Sequence, residues 1–148
     1  YFHASKYISD LANGNICAVI GFNGDVVQAA ASAREARNGI DIAYSIPKEG
    51  STLWLDMVVM PKSAPHEKNA YSYMNYLLTP QVIANISNHI HYANPNQAAD
   101  AYLAPDVKQD PAIYPSSAVI DTLFTVEDLP AKIARLSTRL WTKLKTNT

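Results

Sequence analysis

The chain of 148 residues has one cysteine, Cys17, and a formal net charge of only −1. A single cysteine excludes an internal disulfide framework and a cysteine-based zinc cluster. The near-neutral balance removes the broad positive field that nucleic-acid binding requires. No run approaches the about 18 apolar residues of a membrane-spanning helix. A signal-peptide pattern is also missing, and the sequence opens on Tyr1-Phe2-His3-Ala4-Ser5-Lys6-Tyr7 rather than on methionine. That opening reads like the middle of an amphipathic helix, so a fragment or processed product is expected. Internal repeats, low-complexity tracts and flexible linkers are absent as well.

What is present is apolar. Hydrophobic residues make up 48% of the chain, enough for one globular domain with a modest core. The stretch around which the rest is organised is Ile16-Cys17-Ala18-Val19-Ile20-Gly21-Phe22-Asn23-Gly24-Asp25-Val26. An apolar run stops at glycine, a turn follows, and an alanine-rich segment begins. This pattern predicts a strand over 16–20, a tight turn, and a helix over 26–37 capped by Gly24-Asp25.

Helical spacing predicts a first helix over 3–13, ended by Asn13-Gly14-Asn15. Strict alternation in Ile40-Asp41-Ile42-Ala43-Tyr44-Ser45-Ile46 predicts a half-buried strand. Leu53 to Met60 is a third strand candidate, with Trp54, Asp56 and Val58 on one face. Helices are expected over 66–78 and, with Thr79 as N-cap and Pro80 at the first position, from 80 to about 90. Tyr92-Ala93-Asn94-Pro95-Asn96 is turn-rich. Short helices are expected at 97–102 and 116–123. The last helix starts at Pro130 and gathers Ile133, Leu136, Leu140, Trp141 and Leu144 on one side. Helices and strands alternate through the first 90 residues, so the fold class is α/β.

Two aromatic–acid pairs carry candidate chemistry. An aromatic face attracts a cation and a carboxylate neutralises it. Phe22 and Asp25 sit where open α/β sheets commonly bind ligands, although Asp25 could simply cap the helix and Phe22 simply pack. The turn is not a phosphate loop, for it lacks the lysine and glycine spacing. Trp54 and Asp56 form the second pair. An aspartate inside a Val/Leu/Met run must meet a cation or hydrogen-bond donors if it is buried. Two such pairs suit a diamine, with an ammonium at each end and rings along the methylene chain.

Other groups say less. The histidines are His3, His66, His89 and His91, and the close pair His89/His91 would not share a helix face, so no metal site is expected. No Gly-x-Ser-x-Gly elbow occurs. Cys17 reads either as a buried inert thiol or as half of a bridge to something outside this chain.

The ordered segments together resemble a known family. These are Leu11-Ala12-Asn13-Gly14-Asn15-Ile16-Cys17 running into Gly21-Phe22-Asn23-Gly24-Asp25-Val26, then Ile46-Pro47-Lys48-Glu49-Gly50 leading to Leu55-Asp56. Tyr76-Leu77-Leu78-Thr79-Pro80-Gln81-Val82-Ile83-Ala84 precedes Tyr92-Ala93-Asn94, and Thr138-Arg139-Leu140-Trp141-Thr142-Lys143-Leu144-Lys145 closes the chain. The likeness is to the C-terminal part of periplasmic polyamine-binding proteins, the putrescine/spermidine receptors of ABC importers. It spans essentially the whole chain.

The resemblance implies a two-lobed, Venus-flytrap α/β receptor, incomplete without its N-terminal part. It implies that about 1–40 and 103–148 belong to the C-terminal lobe and 41–102 complete the N-terminal lobe. It implies binding without chemistry, no cofactor, a periplasmic location, and a polyamine and an ABC permease as partners. Asp25 and Asp56 match the family's ammonium-binding acids. Phe22 stands where a tryptophan is common, Trp54 where a phenylalanine is common, and Tyr92 matches a cleft tyrosine. Cys17 matches a cysteine expected to pair with one in the missing N-terminal part. The alternatives are a receptor or sensor for another cationic solute, and a polyamine-modifying enzyme.

Overall fold

The computed structural model describes residues 2–146. Among them the chain forms α1 (Lys6–Ala12), α2 (Asn23–Ala36), α3 (Glu67–Leu77) and α4 (Pro80–Ile90). A 3-10 turn at Gln97–Ala101 follows, then α5 (Pro105–Lys108), α6 (Ser117–Ile120) and α7 (Ala131–Thr146).

Helix ends follow local chemistry. Asn13 ends α1 and Gly14 turns the chain with φ 71°, the left-handed region that glycine tolerates. Pro80 and Pro105 open α4 and α5, where a missing N–H costs nothing. Some expected caps differ. Thr79 flanks α4, but its hydroxyl donates back to the Asn75 carbonyl at 3.5 Å instead of capping. Helix α2 starts at Asn23, so Asp25 lies inside the first turn rather than before it. The residue that ends α2 in the left-handed region is Arg37, φ 49°, ahead of Asn38-Gly39.

The strands are the main correction. None of 16–20, 40–46 and 53–60 forms a ladder among the described residues. The sheet-like pairing there is a lone parallel bridge between Thr52 and Phe124. A strand exists only with a hydrogen-bonded neighbour; 53–60 has one such bond, from the Leu53 N–H to the Phe124 carbonyl at 2.8 Å, and it does not extend into a ladder among the described residues. Segments 16–20 and 40–46 instead line a groove of about 660 Å³ with Leu11, Val26 and Ser51. Burial over 40–46 does alternate as the sequence predicted: Ile40, Ile42, Tyr44 and Ile46 are half-buried, and the residues between them exposed. Segment 53–59 is exposed throughout.

Two small cores hold the fold. In the first, Tyr7, Leu11 and Ala12 of α1 meet Val26 and Ala29 of α2, with Ile16, Ile42 and Tyr44 against them. In the second, Ala84 of α4 packs with Ala99, Leu103, Val107 and Ile113, with Val27 of α2 alongside. Alanines at 29, 33, 84 and 99 are almost fully enclosed, because a methyl side chain lets backbones approach closely. Burying a valine such as Val107 contributes about 1.5–3 kcal/mol. Helix α2 therefore faces both cores, and its first turn lies between them. The apolar stripe of α7 is exposed, and its Trp141 meets Phe2 edge-on at 4.8 Å between ring centroids.

Candidate functional site

The site is built on the N-terminus of α2. Phe22 precedes the helix with extended backbone, φ −73° and ψ 144°, and its ring is exposed. The Asn23 amide donates to the Ala112 carbonyl at 2.8 Å, fixing the helix start to the segment after α5. The Gln28 amide donates to the Ile90 carbonyl at 3.0 Å, fixing α2 to the end of α4. Asp25 sits in the first turn, where partial positive charge favours a carboxylate by about 0.3–1 kcal/mol.

Two tyrosine hydroxyls hold that carboxylate. Tyr7 of α1 donates to Oδ2 at 2.5 Å, and Tyr92 donates to Oδ1 at 2.8 Å. The Tyr7 hydroxyl also accepts the Phe22 backbone N–H at 3.2 Å. No described residue forms an ion pair with Asp25. A carboxylate has about four lone-pair directions, so acceptor capacity remains for a cationic donor. Burial, followed by the hydrogen bond to Asp25, pushes the Tyr7 phenol up to about 12. The same causes in the same order raise Tyr92 further, and burial alone raises Tyr44.

Glycines make room for both rings. A Cβ at position 21 would stand 2.7 Å from the Tyr7 ring, and one at 24 would stand 2.3 Å from the Tyr92 ring. Neither glycine has a positive φ, so each is there for space.

The loop carrying Tyr92 is tied down by asparagines. His91 ends α4 in the left-handed region at φ 58° and reverses the chain; its Nδ1 is enclosed without a hydrogen-bond partner. Asn94 then donates from its side chain to Ser87 at 2.9 Å and to the Tyr114 hydroxyl at 3.3 Å. The Asn96 amide donates to the Leu78 carbonyl at 2.8 Å.

The structure thus brings together Phe22, Asp25 and Tyr92. Trp54 and Asp56 are exposed on segment 53–59, and no hydrogen bond, ion pair or ring contact joins them to Asp25. Asp56, expected on one face of a strand with Trp54 and Val58, lies instead on an exposed segment without a ladder. Cys17 is exposed and free, which overturns the buried-thiol reading. Sequence reasoning placed Tyr7 only on the apolar stripe of the first helix and missed its hydroxyl. The signal that could have found it is the pair Gly21/Gly24 bracketing Phe22 and next to Asp25. Among the described residues no cluster of His, Cys, Asp or Glu could hold a metal, and no helix is long and apolar enough to cross a membrane.

The carboxylate held by two phenols thus stands beside the exposed Phe22 ring, with no described cation paired to it. The chain belongs to the bacterial extracellular solute-binding protein family, whose model matches residues 2–115. It is 49% identical over 145 residues to the putrescine-binding periplasmic protein PotF of Escherichia coli, covering 98% of this chain and 39% of that protein. It is 48% identical to the putrescine-binding periplasmic protein SpuD of Pseudomonas aeruginosa, over 98% of this chain and 40% of the relative. A putrescine/agmatine-binding protein of Pseudomonas aeruginosa is 44% identical over 99% of this chain and 40% of its own length. The chain spans about two fifths of the length of these relatives.

Proposed function

We propose that this chain forms the C-terminal portion of a polyamine receptor serving an ABC importer in the periplasm. The ligand is putrescine or spermidine, bound between two lobes, and the protein performs no chemistry on it. Asp25 takes one ammonium group, Asp56 the other, and Phe22, Trp54 and Tyr92 lie along the methylene chain. Charge-assisted hydrogen bonds of this kind are worth about 1.5–3 kcal/mol each, and cation–π contacts about 0.5–2 kcal/mol. The observation that carries the reading is the Asp25 carboxylate, oriented by two phenols, paired with no cation among the described residues and flanked by the exposed Phe22.

In this reading 1–40 and 103–148 belong to one lobe and 41–102 to the other. Ala84 and Ala99 pack on Leu103, Val107 and Ile113, residues from the two sides of the second proposed boundary. The missing N-terminal part supplies the remaining lobe and the rest of the cleft. The groove between 16–20 and 40–46, lined by backbone without ladder partners, supports such a complement. The exposed Cys17 is available for a disulfide to that part.

Exchanged ring sizes at Phe22 and Trp54, and the likeness to a putrescine/agmatine-binding protein, favour a second reading within the class: another cationic solute such as agmatine. Calorimetric titration of the full-length receptor with putrescine, spermidine, cadaverine and agmatine ranks the candidates. The Asp56→Ala variant should lose putrescine binding. Unchanged affinity in that variant refutes the proposed ligand geometry.

A further inference from the structure

We infer that Tyr7 is a positioning residue of the ligand site: its hydroxyl sets the orientation of both Asp25 and the Phe22 backbone, and so tunes affinity without touching ligand. This rests on the proposed role of Asp25 as an ammonium acceptor.

Tyr7 is 4% exposed, within the α1–α2 core. A core tyrosine that served only packing would need a partner for its hydroxyl and nothing more. Tyr7 instead uses its one hydroxyl twice, donating to Asp25 Oδ2 and accepting from the Phe22 N–H. Those two residues are the carboxylate and the aromatic of the proposed site. The geometry is directional. Because the proton points to Asp25, the oxygen is free to hold the Phe22 main chain, and the exposed ring is carried with it. Gly21 packs against the Tyr7 ring, and any side chain there would push that ring away.

Asp25 keeps a second anchor, the Tyr92 hydroxyl on Oδ1. With both phenols in place the carboxylate plane is fixed. With one removed it can rotate about its remaining bond, and its lone pairs no longer point in one set direction. Preorganised acceptors bind more tightly than mobile ones because no ordering is needed on binding.

The test uses the full-length receptor, putrescine and calorimetry, with thermal melting of each variant without ligand. Tyr7→Phe keeps the ring and removes the hydroxyl, and should weaken putrescine binding at least fivefold. Para-aminophenylalanine at position 7 restores an N–H donor to Asp25 but is a poor acceptor for the Phe22 N–H, and should recover part of the loss. In a double-mutant cycle, Tyr7→Phe should cost less in the Asp25→Asn background than in the parent, because only its hold on the Phe22 main chain remains to be lost. Affinity within twofold of the parent in Tyr7→Phe, or failure of the amino analogue to rescue a folded variant, overturns the role of Tyr7. If Asp25→Asn itself leaves affinity unchanged, the reading of Asp25 falls, and the role of Tyr7 with it.

Discussion

The Tyr92 ring occupies the space that a side chain at position 24 would need: a Cβ on Gly24 would come within 2.6 Å of three of its carbons. The hydroxyl at the far end of that ring donates to Asp25, one residue on. Position 24 thereby controls whether the proposed site keeps its second phenol.

Gly24→Ala tests this directly. Within a helix, glycine to alanine ordinarily gains about 1 kcal/mol. Here the clash is with rigid ring carbons rather than a flexible tip, and overpacking costs about 1–3 kcal/mol. Net destabilisation and loss of putrescine affinity are both expected. Gly39→Ala is the control. Nothing lies within 4 Å of its Cβ, but φ is +79°, so it should cost about 1–2 kcal/mol of stability with affinity intact. Melting curves and calorimetry on the two variants separate the effects.

Trp54 is 64% exposed and makes no ring contact among the described residues. Trp54→Ala should therefore leave stability within about 0.5 kcal/mol. Putrescine affinity should fall several-fold, as the loss of a cation–π contact predicts. A lowered melting temperature with unchanged affinity would make Trp54 a packing residue instead.

Alkaline pH should unfold the protein in a defined way. The ordinary phenol value is 10, and Tyr7 is held up at about 12 in the fold. In the unfolded chain it ionises first, so its contribution to stability is complete below pH 10 and is lost as pH rises to about 12. Tyr92 and Tyr44 act in the same direction. The melting temperature should fall through this window, and more gently in Tyr7→Phe. Tyrosinate absorbance of the variant should lose a late-titrating component. An equally steep fall in the variant would place the effect elsewhere.

Cys17 should react with a thiol reagent in native buffer when this 148-residue chain is tested, because it is exposed. In the oxidised full-length receptor the proposed disulfide should protect it until a reductant is added. Reaction without reductant there would remove the disulfide from the proposal.

How much of this was legible depends on the range of the interactions. Helices were readable because their signals are local: Pro80 after Thr79, the Asn13-Gly14 stop, the alanines from 29 to 33. Segments 16–20, 40–46 and 53–60 have the composition of strands, but a strand needs a neighbour, and composition does not supply one. The alternation over 40–46 still predicted its burial, since that depends on which side faces Val26 and Leu11. Asp25 and Tyr92 were readable as candidate site residues, and the structure adds the hydrogen bond between them, which the sequence did not show. Tyr7 was invisible as a site residue because its role comes from the fold of α1 on α2, fifteen residues and more from its partners. Asp56 was expected on a strand face with Trp54 and Val58 and lies on an exposed segment without a ladder.

The most direct measurement is a crystal structure of the full-length receptor with putrescine. The expected result is one terminal ammonium within hydrogen-bond distance of the Asp25 carboxylate, with the Tyr7 and Tyr92 hydroxyls still on the same group. A putrescine molecule bound elsewhere, with Asp25 contacting only the two tyrosines, would contradict the proposed site.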